Sequence, residues 1–384
     1  MRTLCIPLLL VLASCKAGTR LDPAKPYDVM RAPVTVQLTE TLATGGEITF
    51  PAHGSGPHPT VLLLHGSGPQ DMDATLEGPA GTTELFADLA EALSARGFAV
   101  IRYHKRHVTG PNQFDLPAFF GDQSTFTYEE DAAAVLDALA DHPRVDPDRM
   151  FVYGWSEGSV VATALAKDRP NLAGVVLQGP VGKPWKALFR GWFDLSVPYL
   201  KRFSPRDDQL DGVELGVALR SAASLPVLMT SKMLVVSYSR TSDEALPSPL
   251  VDTNRDGEID IETELKPRID DLVKLAFGPI GAFLSYADGN TLPPVPDQLD
   301  GVTVPFLVLQ GLQDAHTPPD NADLIEAKLA SLQHPDYEIV RLEGVGHTLG
   351  RANDPVDDLG RPMVPAAVEI IVDWLAAHAK PKKK

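Results

Sequence analysis

The sequence predicts an α/β protein in which a mostly parallel sheet, flanked by helices, is interrupted by a helical insertion. Three observations predict it. Short, continuous apolar runs alternate with helical stretches up to residue 180, as in a sheet buried on both faces. The alternation stops at Gly179-Pro180 and resumes at Val304. One strand-to-helix junction carries Gly154-Trp155-Ser156-Glu157-Gly158, a pattern that suits a sharp turn holding a serine.

The elements follow in order. Val34, Val36 and Leu38 alternate with polar residues, and Gly45 to Phe50 repeats the pattern. Two antiparallel strands joined by a Gly45-Gly46 turn are expected. Val61 to Leu64 reads as a fully buried strand running into His65-Gly66-Ser67-Gly68-Pro69-Gln70-Asp71. Thr83 to Arg96 reads as a helix closed by Gly97, and Phe98 to Tyr103 as the next strand. A helix over Tyr128 to Ala140 precedes strand Met150 to Tyr153. A helix from Val160 to Ala166 and strand Gly174 to Gln178 follow the serine turn. Residues 181–300 hold helical segments (Trp185 to Leu200, Val213 to Tyr238, Ile269 to Tyr286) broken by proline-rich turns, a cap where a substrate pocket would be covered. The chain then returns to strand Pro305 to Gln310, helix Asn321 to Leu332, strand Tyr337 to Leu342 and helix Pro365 to His378.

Composition narrows the function. With 44% hydrophobic residues, the 384-residue chain can build a substantial core. Its formal net charge of −17 repels phosphate and argues against a nucleic-acid partner. Lys380 to Lys384 is the pronounced basic run and reads as a solvated end. Leu4 to Ala13, behind Arg2, is too short to span a bilayer and fits a signal-peptide core. It ends in Leu12-Ala13-Ser14-Cys15, which resembles the lipobox of bacterial lipoproteins. That resemblance implies cleavage after residue 14 and lipidation of Cys15, with several acyl chains giving stable membrane anchoring. Lys16 then leans toward the outer membrane, and the expected location is exported and membrane-anchored, outer membrane or periplasm rather than cytoplasm. The expected organisation is a signal peptide (1–14), a lipidated tether (15–33), a core (34–180 and 301–380) and a cap (181–300). Cys5 leaves with the signal, so the folded part has no thiol pair for a disulfide.

Ser156 needs a base to take its proton and an acid to hold that base, in chain order serine, acid, histidine. Strand 305–310 is followed by Asp314, and strand 337–342 by Gly344-Val345-Gly346-His347. Asp314 and His347 are therefore the expected acid and base. His316 is the rival base, but it lies two residues from the acid and before the last strand. The oxyanion amides should come from Glu157, after the nucleophile, and Ser67, after His65-Gly66; His65 itself should order that loop.

With these pieces assembled the sequence resembles the α/β-hydrolase superfamily, and within it the bacterial serine esterases and acyl hydrolases whose oxyanion loop reads His-Gly-Ser-Gly-Pro-Gln-Asp. The resemblance covers residues 34–180 and 300–380. It implies an α/β-hydrolase fold, a Ser156–Asp314–His347 triad and ester hydrolysis through an acyl-enzyme. There is one departure: relatives tend to show Arg-Tyr-Asp-Lys-Arg-Gly where this chain has Arg102-Tyr103-His104-Lys105-Arg106-His107.

A second pattern lies in the cap. Asp252, Asn254, Asp256, Gly257, Glu258, Ile259 and Asp260 match a calcium-binding EF-hand loop, but its twelfth position is Thr263, flanked by Glu262 and Glu264. The readings are a structural calcium or an acidic surface turn; triad hydrolysis itself requires no cofactor. The leading expectation is a serine esterase acting on a small-molecule carboxylic ester or thioester. A serine peptidase on the same fold and a non-catalytic calcium-binding surface lipoprotein are the alternatives. The sequence leaves the oligomeric state open.

Overall fold

In the computed structural model, residues 27–379 are described apart from 79–80, 205–207, 223, 240, 243 and 280. The segment expected to be a signal peptide, Cys15, the start of the expected tether and the lysine tail lie outside the described residues. Among the described residues no helix is long and apolar enough to cross a membrane.

Eight strands form the central sheet: β1 (Val29–Gln37), β2 (Ala43–Pro51), β3 (His58–Leu64), β4 (Ala99–Tyr103), β5 (Val145–Trp155), β6 (Gly174–Gln178), β7 (Phe306–Gly311) and β8 (Tyr337–Leu342). Their spatial order is β1-β2-β4-β3-β5-β6-β7-β8. From β4 onward neighbours run parallel; β1 and β2 pair antiparallel, as do β2 and β4.

Side chains alternate between two cores because successive residues of a strand face opposite ways. Leu62 and Leu64 join one core with α2 (Thr125–Leu139), α3 (Gly158–Asp168) and α8 (Asp320–Ser331). Val61 and Leu63 join the other with α1 (Leu85–Ser94) and α9 (Pro365–His378). The covering segment contributes α4 (Trp185–Lys201), α5 (Gly212–Ser221), α6 (Leu225–Met233) and α7 (Lys266–Ala276), which pack into the first core.

Three sequence expectations change. The Gly45-Gly46 pair is not the turn but part of β2, opposite Thr35 and Val34. A Cβ on Gly46 would come within 2.5 Å of the Arg102 carbonyl, so close strand approach, not turning, requires that glycine. The helix expected from Thr83 begins at Leu85, because Gly81–Glu84 pairs as a strand with Thr75–Gly78. Val213 to Tyr238 is two helices followed by a strand, Val235–Ser239, because Pro226 opens a new helix at its first turn.

Candidate active site

The serine sits where β5 ends and α3 begins. Its φ of 55° lies in the left-handed region that a residue with a Cβ avoids. The flanking glycines show what holds it there. A Cβ on Gly154 would collide with the Gly158 carbonyl, and one on Gly158 would reach 2.8 Å from the His65 carbonyl. Only this pair lets strand, turn and helix close so tightly, and the strain is held where function concentrates.

His347 and Asp314 meet across the loops after β8 and β7. His347 Nδ1 lies 2.9 Å from Asp314 Oδ2, and both side chains are buried. Donation by Nδ1–H leaves Nε2 as the acceptor. Burial opposes charge on His347, but the Asp314 carboxylate overrides it and raises the pKa above the ordinary 6.5. Burial likewise opposes charge on Asp314, and the His347 charge reverses the balance, holding it below 3.8. Asp314 is fixed further by the amides of His316 and Thr317, each at 2.9 Å, and by the Thr317 hydroxyl at 2.9 Å.

Ser156 and His347 open on one cavity. No hydrogen bond joins the serine hydroxyl to the imidazole, a bond that often tightens only around substrate. His316, the rival base, stacks on His347 with ring centroids 4.3 Å apart. Burial, reinforced by His347, pushes its pKa to about 3. It is a neutral plate behind the imidazole. His65 is fully buried, 4.9 Å from the Phe86 ring, and its pKa falls well below 6.5 through burial.

Sequence reasoning missed three groups. Lys105, in the charged run after β4, ties together the two segments expected to supply oxyanion amides. Its Nζ donates to the Gly66 carbonyl at 2.7 Å and to the Glu157 carboxylate at 2.6 Å, and it lies 4.4 Å from the Tyr128 ring centroid. Tyr286, from the covering segment, is buried and lines the same cavity as Ser67. Asp358 holds the base and acid loops in register: its carboxylate accepts the His347 amide at 3.0 Å and the Ala315 amide at 3.1 Å. Burial raises its pKa to about 6. Gly346 is glycine because a Cβ there would strike that carboxylate. Gly179 (φ 50°) is glycine because a Cβ would reach 2.8 Å from His347 Nδ1 and 2.9 Å from Asp314 Oδ2. Lys105 carried a faint signal as a charge just past a buried strand. Asp358 carried none.

The substituted positions in the run after β4 are accommodated. His104 Nδ1 accepts the Met72 amide at 3.0 Å, steadying the loop after β3. His107 takes φ 61°, where a glycine was expected, and its Nε2 lies 2.7 Å from Asp122.

The cavity has a volume of about 1840 Å³. Its walls include Trp185, Phe189 and Trp192 of α4, Met229 of α6, and Phe283 and Tyr286. Such a space admits a bulky, largely apolar molecule beside Ser156.

Over 143 residues the chain is 38% identical to Esterase EstD of Thermotoga maritima, covering 36% of this chain and 31% of that protein. Over 184 residues it is 30% identical to the uncharacterized protein Rv2307c of Mycobacterium tuberculosis, covering 44% and 56%. The chain thus aligns with about a third to about half of the length of these curated relatives. Among solved structures, the acylaminoacyl peptidase of Pyrococcus horikoshii shares the fold with a TM-score of 0.52 at 12% identity, over 93% of this chain and 42% of that one. Residues 61–359 match the family model described as Alpha/beta hydrolase family, and the chain belongs to that family.

Proposed function

We propose that the protein is a serine esterase that cleaves carboxylic esters or thioesters through an acyl-enzyme. The observation that carries this reading is the buried His347–Asp314 pair, 2.9 Å apart, whose His347 lines the same cavity as the strained Ser156. In this mechanism His347 Nε2 takes the Ser156 proton as the oxygen attacks the ester carbonyl. The amides of Ser67 and Glu157 receive the developing oxyanion. Among the described residues, neither amide is committed to a backbone carbonyl in a turn or cap. The protonated His347 then hands its proton to the departing alcohol or thiol. A water, deprotonated by His347, then attacks the acyl-serine carbonyl; the bond to Ser156 Oγ breaks, His347 returns the proton to that oxygen, and the carboxylic acid leaves. Asp314 holds the Nδ1–H throughout and stabilises the imidazolium.

The aromatic cavity favours substrates with a large apolar acyl or alcohol part. Export as a lipoprotein anchored through Cys15 belongs to the same proposal and rests on the Leu4-to-Cys15 pattern. The test is hydrolysis of p-nitrophenyl esters of increasing acyl length, beside Ser156→Ala. Turnover that rises with acyl length and vanishes in the variant is expected. Silence on every ester, with cleavage of aminoacyl amides, would replace the esterase reading by the peptidase one.

A further inference from the structure

The loop after the Glu244–Pro247 strand has the shape its acidic pattern demands, and one feature is unexplained by the loop itself. Asp252 is buried, with 7% of its surface exposed, and its Oδ1 has no hydrogen-bond partner. Its other oxygen accepts the Gly257 amide at 3.1 Å, so the carboxylate is aimed into the loop. Glu264 is buried too, at 6% exposure. Its carboxylate accepts the amides of Thr253, Asn254 and Asp260 at 2.8, 3.2 and 3.1 Å, so it is turned into the loop. Two buried carboxylates therefore face one loop, and among the described residues no lysine, arginine or histidine pairs with either. A buried carboxylate oxygen without a partner, beside a second buried carboxylate, calls for a cation.

The register resolves the sequence mismatch at Thr263. Residues Ile261–Leu265 form a π-helical turn, with the Lys266 amide bonded to the Ile261 carbonyl. A π turn holds one residue more than an α turn. The thirteenth residue is thereby rotated to where the twelfth would stand: Thr263 is exposed, while Glu264 points inward. Glu262 is turned away toward Lys201 and Lys266, at 2.7 Å from each. Gly257 takes φ 91°, the sharp turn needed at the sixth position.

We infer that residues 252–264 form a calcium site in which Glu264, not Thr263, closes the coordination shell. Asp252, Asn254 and Asp256 side chains and the Glu258 carbonyl supply the other oxygens, with Asp260 at the usual water-mediated position. Calcium rather than magnesium fits, because a loop offering this many oxygens and a bidentate carboxylate suits the larger, more flexible shell. Among the described residues no three acidic, histidine or cysteine side chains yet converge at metal distance. Gathering the shell needs only rotation of Asn254 and Asp256, exposed side chains now bonded to each other at 2.8 Å, and release of Glu264 from its amides. The ion would fix the start of α7, which packs on α4, the helix that lines the cavity.

The test is calcium titration of the chelator-treated full chain by calorimetry, with thermal melts in calcium and in chelator. One ion per chain is expected, with a Kd in the range of about 10⁻⁷–10⁻³ M spanned by such loops, and a higher Tm in calcium. Asp252→Asn and Glu264→Gln should each weaken binding at least tenfold, and Thr263→Ala by less than twofold. Asp256→Asn, at an exposed position away from the core, should also weaken it. No binding heat at millimolar calcium and no Tm change would overturn the site. Loss in Thr263→Ala with retention in Glu264→Gln would overturn the register.

Discussion

Replacing Lys105 by methionine removes one charge and leaves the stem that lies along Tyr128. The ammonium is buried between the Gly66 carbonyl and the Glu157 carboxylate, with side-chain exposures of 7% and 3% for the ion pair. Removing one partner of such a pair costs about 3–5 kcal/mol, since the other charge stays buried. The lower end, about 3 kcal/mol, is taken as the conservative figure. At about 2.1 cal/mol/K per residue, roughly 350 ordered residues give an unfolding entropy of about 0.7 kcal/mol/K, so Tm should fall by about 4 °C. The catalytic effect is separate. Lys105 positions Gly66-Ser67 against Glu157, and an oxyanion donor is worth about 10²–10³ in kcat. Loosening one without deleting it should lower kcat about tenfold with little change in KM. Differential scanning calorimetry and p-nitrophenyl ester kinetics read the two effects. Lys105→Met/Glu157→Gln should regain most of the Tm, because no uncompensated charge remains, but not the kcat. A single variant within twofold of wild-type kcat and within a degree of its Tm would refute this reasoning.

Other consequences follow from the same geometry. Catalysis needs neutral His347, whose pKa lies above 6.5, so kcat/KM should rise with pH through a midpoint above that value; the linked stability has the opposite sense, being present below 6.5 and lost as pH rises through the folded-state value. Asp314→Asn removes the charge that outweighs burial, so the midpoint should drop below 6.5 and kcat should fall about 10⁴-fold, as read from pH–rate profiles. Gly179→Ala places a methyl 2.8 Å from His347 Nδ1 on a backbone at φ 50° and should cost at least about 10²-fold in kcat through misplacement of the pair, measured by ester kinetics. Asp358→Ala orphans the buried amides of His347 and Ala315, at about 1–3 kcal/mol each, and should lower stability by about 2–6 kcal/mol in urea denaturation while slowing turnover.

The sheet and the chain order of the site were legible because both are written locally. Val61–Leu64 and Gly174–Gln178 announce buried strands by continuous apolar character, and Gly154-x-Ser156-x-Gly158 encodes a turn whose tightness only glycine permits. Asp314 and His347 were reachable because each follows a recognisable strand. What was not legible depends on contacts between distant residues. Lys105 reaches Glu157 across 52 positions, and Asp358 reaches back 43 positions to Ala315. Gly46 reads as a turn until its neighbour across the sheet, Arg102, is known. The π turn at Ile261–Leu265 moves Glu264 into a place that linear counting gives to Thr263.

The most direct test of the central claim is to mix the enzyme rapidly with a p-nitrophenyl ester and follow p-nitrophenol release. Protein quenched in the same interval is then analysed by peptide mass spectrometry. A burst approaching one equivalent, with the acyl mass on the peptide containing Ser156 and neither in Ser156→Ala, is the predicted result. Turnover that persists in Ser156→Ala, or an acyl group carried by another residue, would contradict it.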